Sequence, residues 1–245
     1  EHIRILGPLV AVWFAVFTIP LFLYTPDRPS TGVSLARATR LGIGALAETF
    51  RQARRYRDIM RYLIARILYI DGLNTLFALG GIYAAGAFSM SFEEVLLFGV
   101  LINVTAGLGA FAFAWVDDWI GPKRTILISV AALTLLCSVI LVIESVTWFY
   151  VLAMLIGIFI GPTQSASRSL MAHMAPEEMR TEMFGLFALS GKITSFVGPA
   201  AVAILTAATD SQRIGMAAIL VLFVAGFLVM LGVKEPERPP APVQV

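Results

Sequence analysis

The chain has 245 residues, of which 58% are hydrophobic and 14% charged, with a single cysteine, Cys137. An ordinary soluble domain is about 25% charged, so this chain, with a mean hydropathy of +0.85, lacks the polar groups to cover a surface in water. Intrinsic disorder, a coiled coil, a disulfide scaffold and a soluble α/β enzyme are excluded, and a polytopic membrane protein is left.

A bilayer core about 30 Å thick needs about 20 apolar residues of helix, at ~1.5 Å rise per residue. Seven stretches qualify: 7–24, 62–88, 94–116, 124–143, 147–164, 183–207 and 214–233. Backbone polar groups in lipid must be paired internally, and these runs are too long for barrel strands, so each is read as a helix. The first run has no basic leader and no small-residue cleavage site, so it does not read as a signal peptide. After it, Thr25-Pro26-Asp27-Arg28-Pro29-Ser30 reads as a helix stop and turn. Leu46, Phe50 and Ala53 then recur at helical spacing among arginines, a pattern that suits either a basic amphipathic helix at the inner headgroups or a solvated charged loop. Trp13, Tyr24, Trp119, Trp148 and Tyr150 fall near span ends, as an interfacial belt requires.

Lys and Arg decide orientation. Arg28, Arg37, Arg40, Arg51, Arg54, Arg55, Arg57, Arg61 and Arg66 cluster between and just inside the first two spans. Lys123, Arg124, Arg168, Arg180, Lys234 and Arg238 fall on the same side, whereas the opposite side holds Arg4 and Arg213. The 25–61 segment and the C-terminus are therefore expected in the cytoplasm. The net charge of +2 conceals this asymmetry, which speaks for topology and against a nucleic-acid partner. By the same parity Glu1 falls outside, and the chain does not begin with Met. If the parent protein begins in the cytoplasm, an odd number of spans is expected ahead of it, and five would make twelve.

An ionisable side chain inside a span costs about 2.5–3.5 kcal/mol on insertion scales and is a functional hypothesis by default. Asp71 lies ten residues beyond Arg61, and Lys192 ten beyond Glu182, so both reach about 15 Å from the inner face. Opposite charges at one depth are expected either to line a solute site or to form a structural ion pair. Asn74 and Thr75 extend the Asp71 face, and Asn103 and Gln164 are further intramembrane hydrogen-bonding groups. Amides of that kind more often join helices than bind solute. Gly157 and Gly161, Gly191 and Ser195, and the Gly80-Gly81 pair mark close helix contacts. Gly161-Pro162 and Gly198-Pro199 predict kinks or breaks.

His2 and His173 are the only histidines, so no zinc or haem set is expected. The sequence contains neither a Gly-x-x-x-x-Gly-Lys-Ser/Thr phosphate loop nor a Gly-x-Ser-x-Gly nucleophile motif. No enzyme activity, metal or cofactor is expected, and Cys137 reads as packing.

Three local patterns carry a family resemblance. Ala114-Trp115-Val116-Asp117-Asp118-Trp119-Ile120-Gly121-Pro122-Lys123-Arg124 resembles the acidic-x-x-Gly-x-basic loop of the major facilitator superfamily in its second copy. Its leading Gly is replaced by Ala114 and its two arginines by Trp119 and Pro122. Gly161-Pro162-Thr163-Gln164 with Ser167-Arg168-Ser169, and Ala175-Pro176-Glu177-Glu178 with Phe184-Gly185-Leu186-Phe187, resemble later segments of the same superfamily. Tyr69-Ile70-Asp71-Gly72-Leu73-Asn74-Thr75 and Ser190-Gly191-Lys192 are similar to its vacuole-effluxer branch and bacterial relatives.

The resemblance implies an all-α membrane protein: a major-facilitator-type C-terminal six-helix bundle plus one additional transmembrane helix. On that reading 1–24 is the sixth helix of twelve, 25–61 the cytoplasmic loop between domains, 62–233 the C-terminal bundle and 234–245 a cytoplasmic tail. It implies a secondary transporter in a lipid bilayer, completed by N-terminal helices of the same protein. The solute is small and polar, such as the amino acids that leave a compartment through the fungal members. Asp71, the one mid-membrane carboxylate, is the candidate for proton coupling. Asp117, Asp118, Gly121, Lys123, Arg124 and Arg168 form the expected gating group, in which Asp118 near a facing helix N-terminus would latch two helices in one state. The positive-inside rule alone would also account for Lys123 and Arg124. A seven-helix receptor or photoreceptor and a non-transporting scaffold are the alternatives; a retinal protein needs a lysine in its last helix, and 214–233 has none.

Overall fold

The computed structural model describes residues 5–25, 34, 37, 39–42, 44, 51 and 56–235. The turn at 26–30 and the proposed amphipathic positions Leu46, Phe50 and Ala53 lie outside the described residues. The ordered elements are α1 (Leu6–Tyr24), α2 (Arg57–Phe88), α3 (Phe92–Ile120), α4 (Pro122–Ile140), α5 (Val146–Met174), a 3-10 turn (Glu177–Met179), α6 (Arg180–Ser190), α7 (Val197–Thr209), α8 (Gln212–Met216) and α9 (Ala218–Leu231). No strand occurs among the described residues. Six segments are long and apolar enough to cross a bilayer: α1 to α5, and Gln212–Leu231. The protein is an all-α, multi-pass membrane protein.

The chain divides into two compact units, Glu1–Ala45 and Leu46–Val245. In the first, α1 is apolar around its whole circumference and buries none of its residues, as suits a helix whose solvent is hydrocarbon. In the second, α2 is the central element. Tyr62, Tyr69 and Leu73 of α2 are buried with Phe223 of α9, and Ile126 and Leu133 of α4 with Ile156 and Ile160 of α5. The most extensive helix pairs are α3 with α5, α2 with α9, and α4 with α5.

Local chemistry sets the helix boundaries. α3 begins earlier than hydropathy alone predicts because Ser91 and Glu94 form a capping box. The Glu94 N–H donates to Ser91 Oγ at 3.3 Å, and the Ser91 N–H donates to Glu94 Oε2 at 2.8 Å. The turn into α4 needs Gly121, whose φ is 91°, followed by Pro122 at the first helical position.

Two predicted interruptions resolve differently. α5 runs unbroken through Gly161-Pro162 to Met174. Proline deprives the carbonyl four residues earlier of its donor; that carbonyl, Ile158 O, packs directly onto Gly109 of α3, where any Cβ would overlap it. The 183–207 span, by contrast, is divided. α6 ends at Ser190, α7 begins at Val197, and residues 191–196 are turns. The break precedes Gly198-Pro199 rather than falling at it.

The Gly157 and Gly161 contact is realised against α3. A Cβ on Gly157 would overlap Thr105 Oγ1 and lie 2.9 Å from Ile102 O; one on Gly161 would overlap Ala106 O and lie 2.8 Å from Ala110 Cβ. Gly157→Leu is therefore expected to lower the melting temperature of the detergent-solubilised protein and to broaden its size-exclusion peak. Gly185→Ala, where a Cβ meets nothing within 4 Å, is expected to leave both unchanged.

Candidate functional site

The break between α6 and α7 exposes a helix C-terminus and a helix N-terminus within one span. The last carbonyls and first N–H groups of a helix have no intrahelical partners, and in hydrocarbon water does not satisfy them. Both ends are met from α2.

At the α6 end, the Gly191 N–H turns to Leu189 O, as do those of Lys192 and Ile193. The carbonyl of Phe187 instead accepts from Arg66 Nη1 at 2.7 Å and from Ser190 Oγ at 2.8 Å. Arg66 Nη1 also donates to Ser190 Oγ at 2.6 Å, and its guanidinium lies 3.6 Å above the Phe187 ring. At the α7 end, the Gly198 N–H donates to Asp71 Oδ2 at 2.8 Å. Val197 N–H is taken by Thr194 O at 2.8 Å, Pro199 has no N–H, and Ala200 N–H reaches Phe196 O at 3.0 Å. Every donor of that first turn is accounted for. A cation thus sits at a helix C-terminus and an anion at a helix N-terminus, the signs that complement the helix dipole.

Asp71 is 3% exposed, and its second oxygen, Oδ1, is buried without a hydrogen-bond partner. Thr75 is buried and donates to Asp71 O at 2.7 Å, and Gly198 packs against it so closely that a Cβ would overlap Thr75 Oγ1. Asn74, half-buried, donates from Nδ2 to Gly191 O at 3.4 Å. Asp71, Asn74 and Thr75 therefore meet the break together. Lys192 lies in the break and is exposed. It makes no ion pair with Asp71 in this structure. The two charges share a neighbourhood, but a backbone N–H holds the carboxylate.

The other expected residues lie apart. Asn103 is exposed on α3, which packs on α5, and its amide donates to Gly99 O of its own helix at 2.8 Å. Gln164 is half-buried on α5. Asp117 and Asp118 occupy the last turn of α3, and Arg124 and Arg168 are exposed. The loop engages a neighbouring helix through Lys123, whose Nζ donates to Val233 O at 2.5 Å and Leu231 O at 3.2 Å. That contact lies at the C-terminal end of α9.

Sequence reasoning missed the cluster around Arg66. Tyr62 OH donates to Ser167 O at 2.5 Å, Tyr69 OH and Ser167 Oγ are 2.7 Å apart, and Ser167 Oγ donates to Thr163 O at 2.5 Å. The signal was present: Tyr62, Arg66 and Tyr69 stand four and three residues apart, on one helical face.

The profile of the family described as "Vacuole effluxer Atg22 like" matches residues 2–238. The chain belongs to that family. It is 24% identical over 231 residues to the uncharacterized MFS-type transporter YxiO of Bacillus subtilis, covering 93% of this chain and 53% of that protein. It is 27% identical over 237 residues to autophagy-related protein 22 of Cryptococcus neoformans, covering 88% of this chain and 41% of that one. Against autophagy-related protein 22 of Coccidioides immitis the identity is 25%, with 96% of this chain and 44% of the relative covered. The chain spans about half the length of these relatives.

The close seat of Gly198 on Thr75 gives a test within this family member. Gly198→Ala is expected to destabilise the protein by about 1–3 kcal/mol, the usual cost of overpacking. Adding Thr75→Ala, which removes the overlapping hydroxyl, is expected to return most of that loss in a thermal melt. An additive double mutant would contradict the contact.

Proposed function

We propose that the full-length protein is a secondary active transporter that carries a small polar solute by alternating access, and that this chain supplies its C-terminal half. Residues 1–24 take the place of the sixth helix, 25–61 the cytoplasmic inter-domain loop, 62–233 the transport bundle and 234–245 the cytoplasmic tail. The concentration of Arg and Lys on one side supports a cytoplasmic 25–61 segment and C-terminus.

The observation that carries this reading is the interrupted helix with a buried carboxylate at its break. Discontinuous helices beside intramembrane charges are how many secondary transporters present polar groups to a solute at the membrane midplane. A zwitterion such as an amino acid fits the available chemistry. Asp71 Oδ1, buried without a partner, receives an ammonium or holds a coupled proton; Lys192, exposed in the break, receives a carboxylate; Asn74 and Thr75 complete the rim, with Gln164 as a more distant contact. Asp117, Asp118, Gly121, Lys123, Arg124 and Arg168 form the cytoplasmic gate, where releasing Lys123 from the α9 carbonyls frees that helix to move.

The test is uptake of labelled amino acids by the full-length protein in proteoliposomes, driven by an imposed pH gradient. Asp71→Asn keeps an oxygen for the Gly198 N–H but cannot exchange a proton, so accumulation against a gradient is expected to vanish while downhill exchange persists. Lys192→Gln is expected to raise KM for carboxylate-bearing solutes more than it lowers kcat. Wild-type accumulation by Asp71→Asn would overturn the coupling role.

A further inference from the structure

Between α2 and α3 the bundle encloses a cavity of about 250 Å³. Its inner wall is apolar and buried: Cys137 and Ile140 of α4, Phe149, Ala153 and Ile156 of α5, and Ile219 of α9. Its exposed lining residues are Phe77 on α2 and Asn103 on α3, so the mouth opens where those two helices diverge. Glycines keep it open. A Cβ on Gly99 would meet nothing within 4 Å, and one on Gly80 only the Phe98 ring at 3.9 Å.

We propose that this cavity is a binding site for a membrane lipid, which inserts one acyl chain between α2 and α3. Two observations select that ligand. The first is depth: Phe77 lies eleven residues before the α2 end at Phe88, and Asn103 eleven after the α3 start at Phe92. At ~1.5 Å per residue both stand about 16 Å below the same ends of their helices, midway through a ~30 Å core, at the level of lipid tails. The surface flanking the mouth on α3 is apolar, with Leu96, Val100 and Val104 each more than half exposed. The second is polarity: the Tyr83 hydroxyl donates to Ile140 O at 3.4 Å and one N–H of the Asn103 amide to Gly99 O at 2.8 Å, so few polar groups of the lining are left to favour a polar guest. An apolar cavity of only about 150 Å³ stays dry and takes up an apolar guest; this one is larger. The proposal is independent of the solute site at the break.

The full-length protein is reconstituted into phosphatidylcholine vesicles doped with phosphatidylcholine bearing a diazirine midway along one acyl chain, irradiated, and its adducts are mapped by mass spectrometry. Adducts are expected on Phe98, Cys137 and Phe149. They are expected to be lost in Ala153→Phe and in Gly99→Leu, which fill the cavity from opposite walls, while adducts on the outward-facing Leu108 and Phe111 persist and report that each variant is folded. A diazirine beside the headgroup is expected to leave the wall unlabelled. Adducts confined to outward-facing residues, equal wall labelling in both filled variants, or wall labelling abolished by excess amino-acid solute would each overturn the proposal.

Discussion

A transmembrane helix that stops partway must bring its own partners for the backbone groups it strands, and here a single neighbouring helix supplies them. Arg66 takes the carbonyl end of α6 and Asp71 the amide end of α7. They are five residues apart on α2, about 7.5 Å of rise and 140° of rotation, which places one charge near each edge of the break. An ionised side chain in a span is costly alone, but a charge-assisted hydrogen bond to an otherwise orphaned backbone group offsets part of that cost. The break and the two charges therefore require one another. Removing the charges strands the helix ends, and closing the break leaves the charges without partners.

The same logic recurs at other helix ends. Lys123 and Arg61 donate to the carbonyls that close α9, Leu231, Gly232 and Val233, and Arg213 donates to Leu141 O at the end of α4, at 3.2 Å. Each of these cations serves a helix C-terminus, where the dipole is negative, instead of pairing with a carboxylate deep in the membrane. Asp71 follows the same logic with the opposite sign. The carboxylate oxygen facing α7 is engaged by Gly198, and the lysine occupies unwound chain between the two capped ends. The arrangement leaves one carboxylate oxygen buried without a partner and the lysine exposed at the break, the two groups on which the proposed solute site rests.

The spans were legible because hydropathy over about 20 residues reflects a large free-energy difference between water and lipid. The glycine contacts of α5 with α3 were legible because close backbone approach has few chemical solutions. Neither proline stands at the break itself. Pro162 stays inside α5 because Gly109 makes room for the carbonyl it strands, a compensation that lies 49 positions away in sequence; Pro199 sits just inside α7, where its missing N–H is harmless. Residue counting gave Asp71 and Lys192 a common depth but not their azimuth, so the partner that Asp71 takes, the Gly198 N–H, was not foreseen. Arg66 was read only as an orientation charge, since nothing in the local sequence shows that α6 ends beside it.

A static six-helix barrier would have little use for a span cut in two and held at both ends by removable contacts. On the proposed function a transporter does, because rearrangement about α2 would change which face of the membrane reaches Asp71 Oδ1. The direct measurement is amide hydrogen exchange across 187–200 in the detergent-solubilised full-length protein. With Asp71→Leu, faster exchange is predicted at Gly198 and through the first turn of α7; with Arg66→Met, at 191–193. Residues 150–157 of α5 should keep their wild-type rates in both. Unchanged exchange at the break, or a uniform rise across all helices, would contradict the claim that these two charges hold the interrupted helix together.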